Sequence, residues 1–146
     1  MILFTCLILG CVMTVQSQEN MDQAGITKAL LNYVEGFYEG DTTKLIASLK
    51  PSLYKIGYWK NEKTGIYDFD GKMTYTQAIA YARNVAIKKN FAKADASKKV
   101  IVLDVHDQTA VGKVTAWWGI DYVLLSREGD HWMIEEVLWE GPALKK

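Results

Sequence analysis

Between Lys98 and Pro142 apolar residues come in strand-length runs parted by short polar turns, while earlier in the chain they recur at helical spacing. The first helical stripe is Ile26, Leu30, Tyr33, Val34 and Phe37, and it ends at Gly40-Asp41, a helix stop followed by a new N-cap. Leu45, Ile46 and Leu49 predict a short second helix, stopped by Pro51. Leu53 to Trp59 is rich in Tyr, Ile and Trp and predicts a strand. Asn61 to Gly65 is turn-like, and Ile66 to Phe69 predicts a short returning strand that ends at Asp70-Gly71. Thr74-Tyr75-Thr76-Gln77 is a capping box, in which the Thr74 hydroxyl accepts from the Gln77 amide and the Gln77 side chain reaches back. It opens a third helix with Tyr75, Ile79, Ala82 and Ala86 on the inner stripe.

Four candidate strands follow: Val100 to His106, Thr109 to Trp118, Gly119 to Ser126 and His131 to Trp139. Asp107-Gln108 and Glu128-Gly129-Asp130 are the clear hairpin turns. Pairing His106 with Thr109 makes one face Ile101, Leu103, Val105, Ala110, Gly112, Val114, Ala116 and Trp118. The other face is mixed, with Val100, Val102, Asp104, His106, Thr109, Val111, Lys113, Thr115 and Trp117. The wholly apolar face is expected against the helices, and the mixed one toward water or another subunit. The expected fold is α+β: three N-terminal helices packed in the concave face of a strongly curved, mostly antiparallel mixed sheet, a cone-like barrel.

With 146 residues the chain holds one domain with a real core. Seventeen Lys and Arg balance seventeen Asp and Glu, which is not the electrostatic footprint of a nucleic-acid binder or a polybasic membrane patch. Residues 1–17 stand apart. They carry no charge, their apolar run is too short to span a bilayer, and Val15-Gln16-Ser17 offers small residues where a signal peptidase reads. Cleavage is expected after Ser17, leaving residues 18–146 as a single secreted or periplasmic domain with no membrane association. Cys6 and Cys11 leave with the leader, and with them any disulfide or Cys-based metal site. The rival reading makes Cys11 a lipid anchor, because Leu9-Gly10-Cys11 is faintly lipobox-like.

Four segments carry a family resemblance when taken in order across roughly residues 22–139. They are Tyr33-Val34-Glu35-Gly36-Phe37-Tyr38-Glu39-Gly40-Asp41, Thr109-Ala110, Asp121-Tyr122, and Gly129-Asp130-His131-Trp132-Met133-Ile134. On these residues the chain resembles the nuclear transport factor 2-like superfamily and, more narrowly, its lumazine-binding branch. The resemblance implies the cone fold, a pteridine-like ligand, and dimers formed through the outer sheet face. It also implies kinship with ketosteroid isomerases and polyketide cyclases, which move protons with a carboxylate and a tyrosine in the cone. Lys50-Pro51 departs from the His-Pro that relatives often carry, so chemistry that relies on that histidine does not carry over.

The candidate chemistry is sparse. Zinc-ligand spacing, a G-x-S-x-G elbow, a P-loop and a dinucleotide fingerprint are all missing, so no metal and no cofactor are expected. Asp104 and His106 share a strand face beside a turn, where such residues commonly serve turn and solvent. Glu136 follows Trp132 and Ile134 on one face, so unbroken alternation would point it into the cone. A three-residue loop at Glu128–Asp130 sets Glu136 opposite Tyr122, and a two-residue loop sets it opposite Asp121. The first continues an inward face from Trp118 through Ile120, Tyr122 and Leu124, and is preferred. A desolvated carboxyl beside a phenol has a raised pKa and can act as acid or base. Glu136, with Tyr122 or Tyr33 as hydrogen-bond donor, is therefore the candidate catalytic set, unless a bulge turns Glu135-Glu136 outward. Trp118, Tyr54, Tyr58, Trp59 and Tyr75 are the candidate ligand lining. Lys50, Lys55, Lys60 and Lys63 read as a solvated edge that guards the first hairpin.

The expectation is an exported protein that binds a small apolar or aromatic molecule and forms a homodimer through the outer sheet face. The alternative is a cofactor-independent isomerase, cyclase or dehydratase-like enzyme that uses a pocket carboxylate and tyrosine.

Overall fold

The computed structural model describes residues 7–142, with side chains from Met21 onward. The leader expected over residues 1–17, with Cys6 and Cys11, lies outside the residues whose side chains are described.

Helix α1 (Leu7–Glu39) buries the predicted stripe of Ile26, Leu30, Tyr33, Val34 and Phe37. It stops at Gly40, whose φ of +67° closes the last turn in the left-handed region. Asp41 then caps α2 (Thr42–Ile46), its Oδ1 accepting from the amides of Thr43 at 2.8 Å and Lys44 at 3.2 Å. Helix α3 (Tyr75–Lys88) opens on the full Thr74–Gln77 capping box. It presents Ala78 and Ala82 to the core, small enough for close approach to the end of α1.

The strands are β1 (Leu49–Lys60), β2 (Tyr67–Thr74), β3 (Lys99–Val105), β4 (Thr109–Ala116), β5 (Gly119–Glu128) and β6 (His131–Glu140). They form a six-stranded sheet in the order β2-β1-β6-β5-β4-β3. Every neighbouring pair is antiparallel except β1 and β6. The sheet curls over α1 without closing, which matches the α+β expectation. Leu49 belongs to β1 rather than to the second helix, and Pro51 lies within the strand at a register shift, where its missing N–H is tolerated. β2 runs on through Asp70-Gly71, with Gly71 at φ +90° beside a second shift.

From β3 to β6 strict alternation fails at three places, and each failure moves residues between faces. The β3–β4 hairpin has the expected loop, since the His106 amide donates to the Thr109 carbonyl at 2.8 Å. A shift between Val102 and Asp104 then turns Val100 and Val102 to the core and leaves Ile101 and Leu103 exposed, the reverse of the expected faces. Between β4 and β5, Ala116 pairs with Gly119 across a Trp117-Trp118 turn, with Gly119 at φ +134°. The inner face of β5 is therefore Gly119, Asp121, Val123 and Leu125, while Tyr122 and Leu124 face outward. In β6, Leu125 pairs with Ile134 but Leu124 pairs with Glu136, so Glu135 is the extra residue of a bulge. Trp132 and Ile134 plug the core, and Glu136 points to solvent. The bulge keeps adjacent carboxylates out of an apolar interior that would desolvate them.

A Cβ on Gly40 would meet the Ala86 amide nitrogen of α3 at 2.5 Å, whereas one on Gly129, at φ +60°, would meet nothing within 4 Å. Gly40→Ala should therefore cost about 3 kcal/mol or more, through both strain and displaced backbone, and Gly129→Ala only about 1 kcal/mol. Denaturant melts of the two variants check this; equal losses would contradict the packing of α3 on the end of α1.

Candidate functional site

Three elements each send one polar side chain inward. The α1 stripe contributes Tyr33, the alternation Leu53, Lys55, Gly57 on β1 contributes Lys55, and the inner face of β5 contributes Asp121. Tyr33 donates to Asp121 Oδ2 at 2.5 Å and accepts from Lys55 Nζ at 2.8 Å. Lys55 Nζ also reaches Asp121 Oδ2 at 3.3 Å. The indole Nε1 of Trp118 donates to Asp121 Oδ1 at 2.8 Å, so both carboxylate oxygens are satisfied. One cation, one anion and one phenol thus share a single interior network.

Aromatic rings enclose it. Lys55 Nζ stands 5.5 Å from the ring centroid of Tyr33, 5.9 Å from Trp118 and 5.3 Å from Trp139. Trp139 reaches this position because its register partner is Gly57, where any Cβ would overlap the indole. The Trp117-Trp118 turn is held in place by Tyr38, whose hydroxyl donates to the Ser97 carbonyl and accepts from the Trp117 amide at 2.8 Å.

Burial sets the titration of the network. The Tyr33 phenol is pushed well above its ordinary value, first by burial and then by the charge and hydrogen bond of Asp121. Lys55 is pulled below its ordinary value because desolvation outweighs the attraction of Asp121.

Beside the network lies a cavity of about 440 Å³ between the end of α1, α3 and the connector that precedes β3. Phe37, Tyr38, Tyr81, Phe91 and Trp117 supply its rings, and Asn90, Lys93 and Asp95 its polar groups. Phe37, Tyr38 and Trp117 each stand edge-on to Trp118, with centroids 5.8, 5.5 and 5.8 Å away. One layer of rings therefore separates the cavity from the carboxylate.

Of the candidate catalytic set, only Tyr33 lies in the interior. Glu136 and Tyr122 are on the outer face, because the Glu135 bulge and the Trp117-Trp118 turn reverse the expected alternation. The interior carboxylate is Asp121. Of the candidate lining, Trp118 joins the network and Tyr75 packs against the core. Tyr54 and Tyr58 are exposed on the outer face, and Trp59 sits at the rim against Trp139. Lys55 is buried rather than part of a solvated edge, a placement announced in the sequence only by its period-two spacing from Leu53.

A curled sheet over three helices with an interior polar cluster defines the nuclear transport factor 2-like fold. The chain belongs to the family described as "Putative lumazine-binding", whose profile matches residues 21–140. Solved structures agree at the level of fold. A nuclear transport factor 2-like protein of unknown function from Silicibacter pomeroyi is 16% identical, with a TM-score of 0.62 over 86% of this chain and 98% of that one. One from Methylobacillus flagellatus is 17% identical, with a TM-score of 0.61 over 84% and 93%. A protein from Streptomyces avermitilis described as a "putative dehydratase" is 10% identical, with a TM-score of 0.54 over 86% and 99%. Among curated proteins none matches the chain.

Lys55 and Tyr33 pull the pH profile of stability in opposite directions. Folded Lys55 holds its proton less tightly than the unfolded chain does, so stability rises as pH approaches the ordinary 10.5 from below. Folded Tyr33 holds its proton more tightly, so its contribution is complete below the ordinary 10.0 and is lost above it. Denaturant melts from neutral to alkaline pH should lose the rise in Lys55→Met and the tyrosine-linked fall in Tyr33→Phe. Profiles that neither substitution alters would contradict the buried network.

Proposed function

We propose that this protein is an exported binder of a flat, largely apolar small molecule. The observation that carries the reading is the ring-lined cavity of about 440 Å³ between α1, α3 and the connector before β3. Its volume falls in the range of small-molecule sites, about 300–1,000 Å³, and its few polar groups suit orientation rather than charge capture. The family description favours a pteridine-like ligand, a fused aromatic ring system that fits between edge-presented side chains. Export rests on the uncharged apolar leader and its small-residue cleavage signal.

Assembly as a homodimer belongs to the same reading. Tyr122, Leu124 and Leu138 lie together on the outer sheet face, about half exposed, with Tyr54 and Tyr58 beyond them. The exposed Tyr122, Leu124 and Leu138, bordered by Glu136, favour burial against a second copy.

A second reading has an observation of its own. Tyr33 and Asp121 form a carboxylate–phenol pair in the cone, the chemistry expected of an isomerase, cyclase or dehydratase. On this reading Asp121 replaces Glu136 as the acid–base group, and Tyr33 polarises the substrate.

Native mass spectrometry of protein from its own host tests these readings together. The expected spectrum is a dimer that retains a small molecule. Tyr81→Ala and Trp117→Ala, both at half-exposed rings that pack on Phe37 and Trp118, should abolish retention at a stability cost of about 0.5–1.5 kcal/mol. Retention unaffected by either change would refute the cavity, and a wild-type monomer would refute the outer-face dimer. Turnover of the retained molecule that Tyr33→Phe abolishes would favour the enzyme.

A further inference from the structure

We propose that the Lys55 side chain is a nucleophilic amine that condenses with an aldehyde or ketone group, holding a carbonyl compound as an imine inside the cone. The inference goes beyond ligand retention, and the binding reading stands whether or not this amine reacts.

The geometry is that of an activated amine. Lys55 Nζ has a proton relay at 2.8 Å in the Tyr33 hydroxyl and a proton acceptor at 3.3 Å in Asp121. The faces of Tyr33, Trp118 and Trp139 surround it, so the free-amine form is not disfavoured by lost hydration. Its side chain keeps 9% exposure where that of Asp121 keeps none, so the lysine is the less enclosed member of the ion pair. Two of the covering rings, Trp118 and Trp139, are themselves half-buried, and Trp118 adjoins three rings that line the cavity. Burial pulls Lys55 toward the neutral form, in agreement with this role.

Stability alone does not account for the arrangement. A buried ion pair is often matched or exceeded by apolar residues of equal volume. A desolvated lysine with a specific relay and counter-ion, parted from a cavity by Trp118 and the rings that line it, is a functional-site candidate.

The step balances within the network. The ammonium proton of Lys55 passes to the Asp121 carboxylate. The nitrogen lone pair then forms a bond to the carbonyl carbon, and the π pair moves onto oxygen. Tyr33 gives its proton to that oxygen and recovers one from nitrogen, leaving a neutral carbinolamine. The carbinolamine hydroxyl departs as water with the proton held by Asp121, relayed through Tyr33. The nitrogen lone pair closes the C=N bond as a protonated imine, paired again with the Asp121 carboxylate. Nothing is oxidised or reduced.

Benzaldehyde serves as the probe, with sodium cyanoborohydride to trap the imine as a stable secondary amine. The full chain is treated at neutral pH, digested and mapped by mass spectrometry. Lys55 should be labelled at least about tenfold faster than exposed lysines such as Lys63 or Lys88, because the Tyr33 hydroxyl at 2.8 Å can relay protons in the addition step and exposed amines have no such partner placed beside them. Tyr33→Phe should slow labelling of Lys55 at least about tenfold. Label confined to exposed lysines, or reaching Lys55 only in denaturant, overturns the proposal on the wild-type protein alone. A rate at Lys55 that Tyr33→Phe leaves unchanged overturns the relay. Retention of a native ligand, scored without reductant, is a separate result.

Discussion

An ammonium, a carboxylate and a phenol share the interior of this small domain, and the rest of the structure is arranged to make that tolerable. Tyr33, Lys55 and Asp121 come from α1, β1 and β5, so the network ties the helix to two strands separated in the sheet by β6. Burying either charge alone would cost several kcal/mol. Together they leave one formally neutral unit, with the Trp118 indole donating to the remaining carboxylate oxygen. Details elsewhere follow from it. Gly57 makes room for Trp139 over the ammonium, and Tyr38 pins the turn that aims Trp118 at Asp121.

The parts of the fold that depend on local signals were legible in the sequence. The α1 stripe, the Asp41 cap, the Thr74–Gln77 capping box and the Asp107-Gln108 hairpin each follow from a few neighbouring side chains. Strand faces were legible only up to the first bulge. Side chains alternate with period two, so one extra residue at Leu103 or Glu135 reverses everything beyond it. The Trp117-Trp118 turn was hidden for a similar reason. It lacks the Asn-Gly or Asp-Gly pair that marks most two-residue hairpins, and its indoles read as strand. That turn decides whether Asp121 or Tyr122 faces the core. Lys55 was obscured by its charge, which suggests an edge residue until its partner on β5 is known.

The expected meeting of a carboxylate and a tyrosine is present, with a change of residue. A carboxylate and a tyrosine do meet in the cone, but the acid is Asp121, and Glu136 lies on the outer face. The network brings a lysine whose only signal in the sequence is its period-two spacing from Leu53. Fold similarity does not choose between binding and catalysis in so versatile an architecture. In this chain a layer of rings lies between an open cavity and the buried Tyr33–Asp121 pair. Through Trp118, whatever occupies the cavity contacts rings that touch the residue holding Asp121 in place.

A double-mutant cycle between Lys55→Met and Asp121→Asn, read by denaturant unfolding, tests the interior network most directly. Each single change should cost about 3–5 kcal/mol by stranding the other group in a desolvated site. The double variant should be less damaged than the sum of the two by about 1–3 kcal/mol. Strictly additive losses, or single changes that leave stability untouched, would mean that the two groups do not meet inside the protein.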